Sequence, residues 1–143
     1  MYIFCVRVGA KLKIVGEGPE RKNLEKLIEQ YQLQNNFFLL GNIPQAHRLL
    51  KGLDLFVLPS VKEGLPYAIL KAMAAQIPIV TTRVGGLPEI LPDECLVPTH
   101  DCMSLRYKIQ DGLAGRLPLP HYQTNPFQEF LEKTINLYMD STD

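Results

Sequence analysis

The sequence has no surplus of charge of either sign. Fifteen Lys and Arg residues balance fifteen Asp and Glu residues, so the net charge at neutral pH is zero. Nucleic acids and anionic membrane surfaces attract proteins that carry excess positive charge. The balance therefore argues against both as partners, and we expect no nucleic-acid-binding function.

Cysteine and histidine are also scarce. The three cysteines, Cys5, Cys95 and Cys102, form no CxxC pair, and an odd count does not fit a disulfide framework. We interpret them as small apolar core residues of a protein from a reducing, cytoplasmic compartment. The three histidines are scattered without ligand spacing, so we expect no metal site and no metal cofactor.

Long hydrophobic runs are missing as well. No stretch approaches the ~20 apolar residues that a membrane-spanning helix requires. The apolar start, MYIFCVRVGAKLKIVG, is too short for a span and lacks the small-residue cleavage site of a signal peptide. We predict one or two strands there.

What the sequence does contain is an alternation of short apolar strands and amphipathic helices. Strands are predicted at 12–15, 37–40, 54–58, 78–82 and 95–97, and helices from Pro19 and at 44–50, 66–75, 87–91 and 102–113. Continuously apolar strands separated by helices indicate an α/β fold, a Rossmann-like doubly wound parallel sheet. Ligands bind such sheets at the carboxyl ends of the strands.

The domain organisation follows from composition. Residues 1–114 are predicted to form the Rossmann-like domain, and the Gly- and Pro-rich segment 115–126 is predicted to be a linker. Residues 127–143 contain a helix with an apolar face. Because this helix follows a linker, we expect it to pack loosely on this domain or to mediate self-association.

The loop between Leu58 and the helix at 66–75 is the strongest candidate for a site. The free N–H groups and partial positive charge of a helix start favour an anion such as a diphosphate. Gly64 would let the backbone approach closely, and the Glu63 carboxylate could accept hydrogen bonds from sugar hydroxyls. The alternative is that Glu63 only caps the helix.

Two further loops have similar chemistry. The segment RVGGLPE, with Gly85 and Gly86 before a Pro-containing helix, is either an anion-binding turn or a plain strand-to-helix connection. GEGP at 16–19 lacks the third glycine of a dinucleotide fingerprint, so a dinucleotide cofactor is poorly supported.

Ser60 stands in no GxSxG motif, so nothing indicates a covalent hydrolase.

Four segments in order, LKIVGEGPERKNLE, FFLLGNIP, DLFVLPSVKEGLPYAILKAMA and IPIVTTRVGGLPEIL, give the chain a family resemblance. Together they resemble the C-terminal domain of group 1, or family 4, glycosyltransferases. The resemblance implies the C-terminal half of a GT-B fold that binds a nucleotide-diphosphate sugar without a metal. It implies hexose transfer, with retention of configuration, to an acceptor glycan or lipid-linked glycan held by an N-terminal domain, in an enzyme peripheral to the membrane.

The resemblance also implies site residues. Glu63 matches the family's catalytic-site Glu near the donor sugar, and Lys71 stands where the family has a second Glu that binds ribose. The remaining positions implied to bind the donor are Gly16, Gly41, Asn42, Ile43, Ser60, Gly64, Leu65, Pro66, Gly85 and Gly86.

Three departures from the family pattern bear on activity. Lys71 has three donors and no acceptor, so it cannot reproduce a carboxylate's contacts, unless it is simply a surface lysine. An upstream Arg and Lys pair is missing, although Arg7 and Lys11 lie nearby. Without an acceptor domain we expect the chain alone to be inactive. The rival hypotheses are a non-enzymatic binding or scaffolding module and a sugar-nucleotide epimerase.

Overall fold

The computed structural model describes residues 2–6 and 11–120, and its centre is one sheet of six strands. The strands are β1 (Tyr2–Val6), β2 (Lys11–Val15), β3 (Phe37–Gly41), β4 (Leu55–Leu58), β5 (Ile79–Thr82) and β6 (Leu96–Val97). Their order across the sheet is β3-β2-β1-β4-β5-β6. The strands after β1 lie within two residues of the predicted bounds at each end.

The sheet differs from the predicted all-parallel arrangement at β1. This strand pairs antiparallel with β2 on one side and with β4 on the other, whereas the β2–β3, β4–β5 and β5–β6 pairs are parallel. A parallel pair needs a crossover of a dozen or more residues, and only a few residues separate Val6 from Lys11. β1 must therefore run against β2, and the other five strands all share one direction.

The helices follow the predicted positions with small shifts. They are α1 (Arg21–Gln30), α2 (Tyr67–Ala74), α3 (Leu87–Ile90) and α4 (Cys102–Leu113), and Ala46–Gly52 and Asp93–Cys95 form 3₁₀ helices. Pro19 does not open α1 as predicted, because it sits in a turn in which the Arg21 N–H donates to the Gly18 carbonyl at 3.1 Å. Cys95 ends a 3₁₀ helix rather than starting β6.

Apolar side chains cover both faces of the sheet. On one face, Phe56 and Leu58 pack with Ile69 and Met73 of α2. On the other, Leu55, Val57 and Val80 pack with the apolar side of α4. Gly112 of α4 lies so close to Leu55 that a Cβ there would stand 2.6 Å from a Leu55 methyl carbon. Helices on both faces of the sheet confirm the Rossmann-like α/β fold.

Two predictions concern the C-terminal part of the chain, and a third concerns membrane-spanning helices. The prediction for the helix within 127–143 falls outside the described residues. Within the predicted linker, Leu117 packs against the core and Pro120 is fully buried, so this segment begins on the domain. None of the helices within residues 11–120 has both the length and the apolarity of a membrane span.

The two described cysteines differ, which corrects the prediction that all are core residues. Cys95 is buried and Cys102 is exposed at the start of α4. Burial, reinforced by the Glu94 charge, raises the pKa of Cys95 from 9.0 to about 11. The protonated thiol therefore stabilises the fold below pH 9, and this contribution is lost as the pH rises towards 11.

We predict that iodoacetamide at about pH 8 alkylates Cys102 and spares Cys95 in the folded protein, because only an accessible thiolate reacts. Peptide mapping by mass spectrometry would locate the modification, and the same reaction in denaturant is the control in which both residues are modified. Native-state alkylation of Cys95 at a rate near that of Cys102 would contradict this burial.

Candidate functional site

The predicted site loops lie at one edge of the sheet. Because β2 to β6 run in one direction, their carboxyl ends all reach the same edge. The segments that leave them begin at Gly16, Asn42, Pro59, Arg83 and Pro98. This is the edge at which doubly wound sheets bind ligands.

Glu63 is half-buried in the loop that follows β4. The Ser60 hydroxyl donates to Glu63 Oε1 at 2.8 Å, which joins two of the predicted site residues. No side chain caps α2, whose N-cap position is Pro66. No side chain therefore hydrogen-bonds the first N–H groups of this helix, and the Glu63 carboxylate is engaged by Ser60.

Two buried threonines of β5 bind neighbouring backbone positions, Thr81 at the end of β4 and Thr82 in the loop that follows. The Thr81 hydroxyl donates to the Leu58 carbonyl at 2.8 Å, and the Thr82 hydroxyl donates to the Ser60 carbonyl. Both are nearly inaccessible, at 0 % and 4 % exposure. These residues were missed in the sequence, because PIVTT gives no sign that threonines in a central strand bind a neighbouring loop.

The Gly85–Gly86 turn packs directly on the Glu63–Gly64 backbone. Gly85 has φ +53°, and a Cβ there would stand 2.3 Å from the carbonyl oxygens of both Glu63 and Gly64. The Gly86 N–H donates to the Gly64 carbonyl at 3.3 Å. The two predicted loops thus meet, and the Gly86 N–H serves the contact between them, so it does not serve the anion that one interpretation of this turn implied.

The backbone of the Glu63 loop is open on its outer side. A Cβ added at Gly64 would have no heavy atom within 4 Å, and the same is true at Gly86. Leu65 is exposed, at 46 %. No side chain caps the start of α2, and the Ile69 N–H donates to the Pro66 carbonyl at 3.0 Å, so the N–H groups of Tyr67 and Ala68 are the ones that an anion could reach.

A pocket of about 250 Å³ lies beside this helix, between α2 and the 3₁₀ helix Ala46–Gly52. Its floor is apolar, formed by Leu50 and Phe56. Its rim includes Ile43, a predicted site residue, together with Tyr67, His47 and Lys71. The structure therefore brings Ile43 and the exposed Lys71 to the same pocket.

The remaining predicted residues, Gly16 and Gly41, pair with each other. The Gly16 N–H donates to the Gly41 carbonyl at 2.8 Å, which joins the ends of β2 and β3. Both have positive φ, and the Glu17 carboxylate lies over Gly41. Asn42 follows and is exposed.

Two expectations concern metal-binding and basic groups. Within residues 11–120 no three His, Cys, Asp or Glu side chains are grouped as a metal ion would require. Lys11 begins β2 and so lies at the amino edge, about 13 Å of strand from the ligand-binding edge. It therefore lies away from the edge at which the family resemblance implies a diphosphate-binding cation, and Arg7 lies outside the described residues.

The chain has relatives among known proteins. The family model for group 1 glycosyl transferases matches residues 6–125. The chain is 38 % identical over 84 residues to N-acetyl-alpha-D-glucosaminyl L-malate synthase of Bacillus anthracis, covering 59 % of this chain and 22 % of that protein. It is 34 % identical over 125 residues to a component of human phosphatidylinositol N-acetylglucosaminyltransferase, covering 82 % of this chain and 26 % of that protein.

A solved structure has the same fold. A mutant of S. aureus TarM, in complex with Fondaparinux, alpha-GlcNAc-glycerol and UDP, superposes with a TM-score of 0.66 at 26 % identity, covering 73 % of this chain and 22 % of that one. The chain thus spans about a quarter of the length of the relatives that it matches. With its Rossmann-like sheet and GT-B structural neighbours, the chain belongs to the group 1 glycosyltransferase family.

Proposed function

We propose that this chain binds the nucleotide-diphosphate sugar of a retaining, family 4 type hexosyltransferase. The observation that carries the proposal is the contact between the Glu63–Gly64 loop and the Gly85–Gly86 turn, beside the uncapped start of α2. This contact holds the Glu63 loop, with its carboxylate and the open backbone at Gly64, next to the start of α2 at the carboxyl edge of the sheet.

The diphosphate would lie against the start of α2. Leu65 and Pro66 lead into the helix, and the open space at Gly64 lets a phosphate approach the main chain. Free N–H groups and the helix dipole would stabilise the negative charge of the leaving group. This backbone-based stabilisation supports a transfer that requires no metal ion.

The nucleoside would occupy the pocket next to that helix. The pocket of about 250 Å³ offers the apolar surface of Leu50 and Phe56 to a base, and Ile43 at its rim. Lys71 would donate to ribose hydroxyls where a carboxylate would accept from them. Gly16, Gly41 and Asn42 lie in adjacent segments at the same edge of the sheet.

Glu63 would hold the sugar. Its carboxylate accepts hydrogen bonds, and sugar hydroxyls donate them. In the reaction the bond between the anomeric carbon and the diphosphate oxygen breaks, the diphosphate leaves with the electron pair, and the acceptor oxygen forms the new bond while its proton passes to the leaving phosphate. Interactions that strengthen as this charge develops accelerate transfer.

The names of related proteins suggest a donor to test first. The Bacillus anthracis relative is named for an N-acetyl-alpha-D-glucosaminyl group, and the S. aureus structure contains alpha-GlcNAc-glycerol and UDP. An alpha-linked product from an alpha-linked UDP sugar is the outcome of retention. The acceptor, a glycan or lipid-linked glycan, would be held by a second domain, and self-association through the C-terminal helix stays a prediction.

Calorimetric titration of this chain with UDP, UDP-N-acetylglucosamine, UDP-glucose and GDP-mannose tests the proposal. We expect one of the sugar nucleotides to bind more tightly than its free nucleoside diphosphate, with no requirement for a divalent ion. Absence of binding to all of them at millimolar concentration would overturn the proposal in favour of a non-enzymatic module. Tight binding of a nicotinamide cofactor would favour the epimerase instead.

We predict that Glu63→Gln lowers the affinity for the sugar nucleotide about 10-fold and leaves that for the free diphosphate unchanged, because a charged acceptor contributes roughly 1.5–3 kcal/mol to a hydrogen bond. Calorimetry with both ligands measures the two affinities. The control is Glu94→Gln, an exposed carboxylate before β6 at the opposite edge of the sheet. Equal losses for both ligands would refute a sugar-specific role.

We predict that Lys71→Glu strengthens binding of the nucleotide about 3-fold to 10-fold, because a carboxylate accepts from both ribose hydroxyls where an ammonium cannot. Lys26→Glu, an exposed residue of α1, gives the same change of net charge away from the pocket. Calorimetric titration with the same nucleotide measures the affinity of each variant and of the native chain. Equal affinities of Lys71→Glu and the native chain would rule out the prediction.

The two loops offer a matched pair of glycine substitutions. We predict that Gly85→Ala costs several kcal/mol in the free energy of unfolding, since its methyl would overlap two carbonyl oxygens at positive φ. Gly64→Ala has room for its methyl, so we expect near-native stability with weakened diphosphate binding. Urea denaturation and UDP titration measure both properties, and a Gly85→Ala variant as stable as Gly64→Ala would show that the loops do not depend on this contact.

A further inference from the structure

We propose that Thr82 and Ser60 are positioning residues that hold the Glu63 carboxylate in the geometry required for the donor sugar. The predicted effect on sugar binding rests on the proposed function, whereas the predicted effect on the Glu63 side chain needs no ligand. It connects a buried strand residue to a carboxylate at the cleft through two successive hydrogen bonds.

The first bond joins β5 to the loop. Thr82 is 4 % exposed, and its hydroxyl donates to the Ser60 main-chain carbonyl. A β-branched side chain in a strand has restricted χ1 freedom, so this hydroxyl is held by the sheet itself. The Ser60 backbone is thereby fixed relative to β5 and to the Gly85–Gly86 turn that follows it.

The second bond joins the loop to the carboxylate. The Ser60 hydroxyl donates to Glu63 Oε1 at 2.8 Å. A serine hydroxyl has one proton to donate, and in this bond Ser60 donates it to Glu63. It engages one carboxylate oxygen of Glu63 and leaves the acceptor capacity of the other for sugar hydroxyls.

The energetic reason for such a chain is pre-organisation. A free glutamate side chain loses rotamer entropy when a ligand fixes it. If Ser60 and Thr82 fix Glu63 beforehand, binding of the sugar no longer carries that cost. The effect would be confined to the sugar, since neither hydroxyl belongs to the helix start or to the pocket next to α2.

Thr81 provides a close control. It is the neighbouring residue of the same strand, it is fully buried, and its hydroxyl donates to a carbonyl of the same chain segment, that of Leu58. Thr81→Val and Thr82→Val each remove one buried hydroxyl without a change of shape. Only Thr82 contacts Ser60, so only Thr82→Val should affect Glu63.

The first experiment needs no ligand. Three-bond NMR couplings of Glu63 report whether its χ1 occupies one rotamer or averages over several. We expect one rotamer in the native chain, in Thr81→Val and in Thr82→Ser, which keeps the hydroxyl, and averaged couplings in Thr82→Val and Ser60→Ala. Identical couplings in the native chain and in both disrupting variants would overturn the proposal.

The second experiment compares two affinities in each variant. We expect Thr82→Val and Ser60→Ala to reduce the affinity for the sugar nucleotide about 3-fold to 10-fold while the affinity for free UDP stays constant. Thr82→Ser should restore the native ratio. An unchanged ratio in both disrupting variants would overturn the positioning role, and equal losses for both ligands would also contradict it.

The two proposals can fail separately. If no sugar nucleotide binds the native chain, the proposed function fails, while the Glu63 couplings still decide whether Thr82 and Ser60 position the carboxylate. If the native chain binds the sugar nucleotide and the couplings do not change, the donor site stands and the positioning chain is wrong. Urea denaturation of each variant shows that it is folded at the time of measurement.

Discussion

The close packing of Gly85 on the carbonyl groups of Glu63 and Gly64 is the constraint on which the candidate site depends. No residue with a side chain fits there, because the backbone has positive φ and a Cβ would lie 2.3 Å from two oxygens. The contact joins the loop after β4 to the turn after β5. Because these strands are parallel neighbours, their loops leave the sheet side by side, and the contact fixes how close they come. The loop that carries the Glu63 carboxylate and leads into α2 is therefore held against the turn after β5.

The reversed strand β1 leaves the sheet continuous. An antiparallel strand satisfies the hydrogen-bonding groups of β2 and β4 as well as a parallel one would. The carboxyl end of β1 lies at the edge opposite the candidate site, whereas β2 to β6 all end at the site edge. The described loops of the candidate site therefore follow strands that share one direction.

The sequence predicts the fold better than it predicts the internal support of the site. Apolar runs bounded by Gly and Pro locate β2 to β5 closely, and the periodicity of α4 gives its bounds. The direction of β1 was missed because apolar runs carry no information on orientation, and the exposure of Cys102 because residue type alone does not fix burial. Glu63, Gly64 and Gly85 were found from loop chemistry. Thr82 was not, since a buried threonine in a strand ordinarily indicates only β-propensity.

The proposed sugar site and the proposed nucleoside site differ in how their polar side chains are held. At the proposed sugar site, Glu63 accepts a hydrogen bond from the neighbouring Ser60 hydroxyl. At the proposed nucleoside site, the pocket has a buried apolar floor, whereas Lys71 and His47 are exposed side chains at its rim. Pre-organised groups retain more of their interaction energy on binding than mobile ones do. Discrimination should therefore come mainly from the sugar and the diphosphate, with the base and ribose contributing mostly through burial on Phe56 and Leu50.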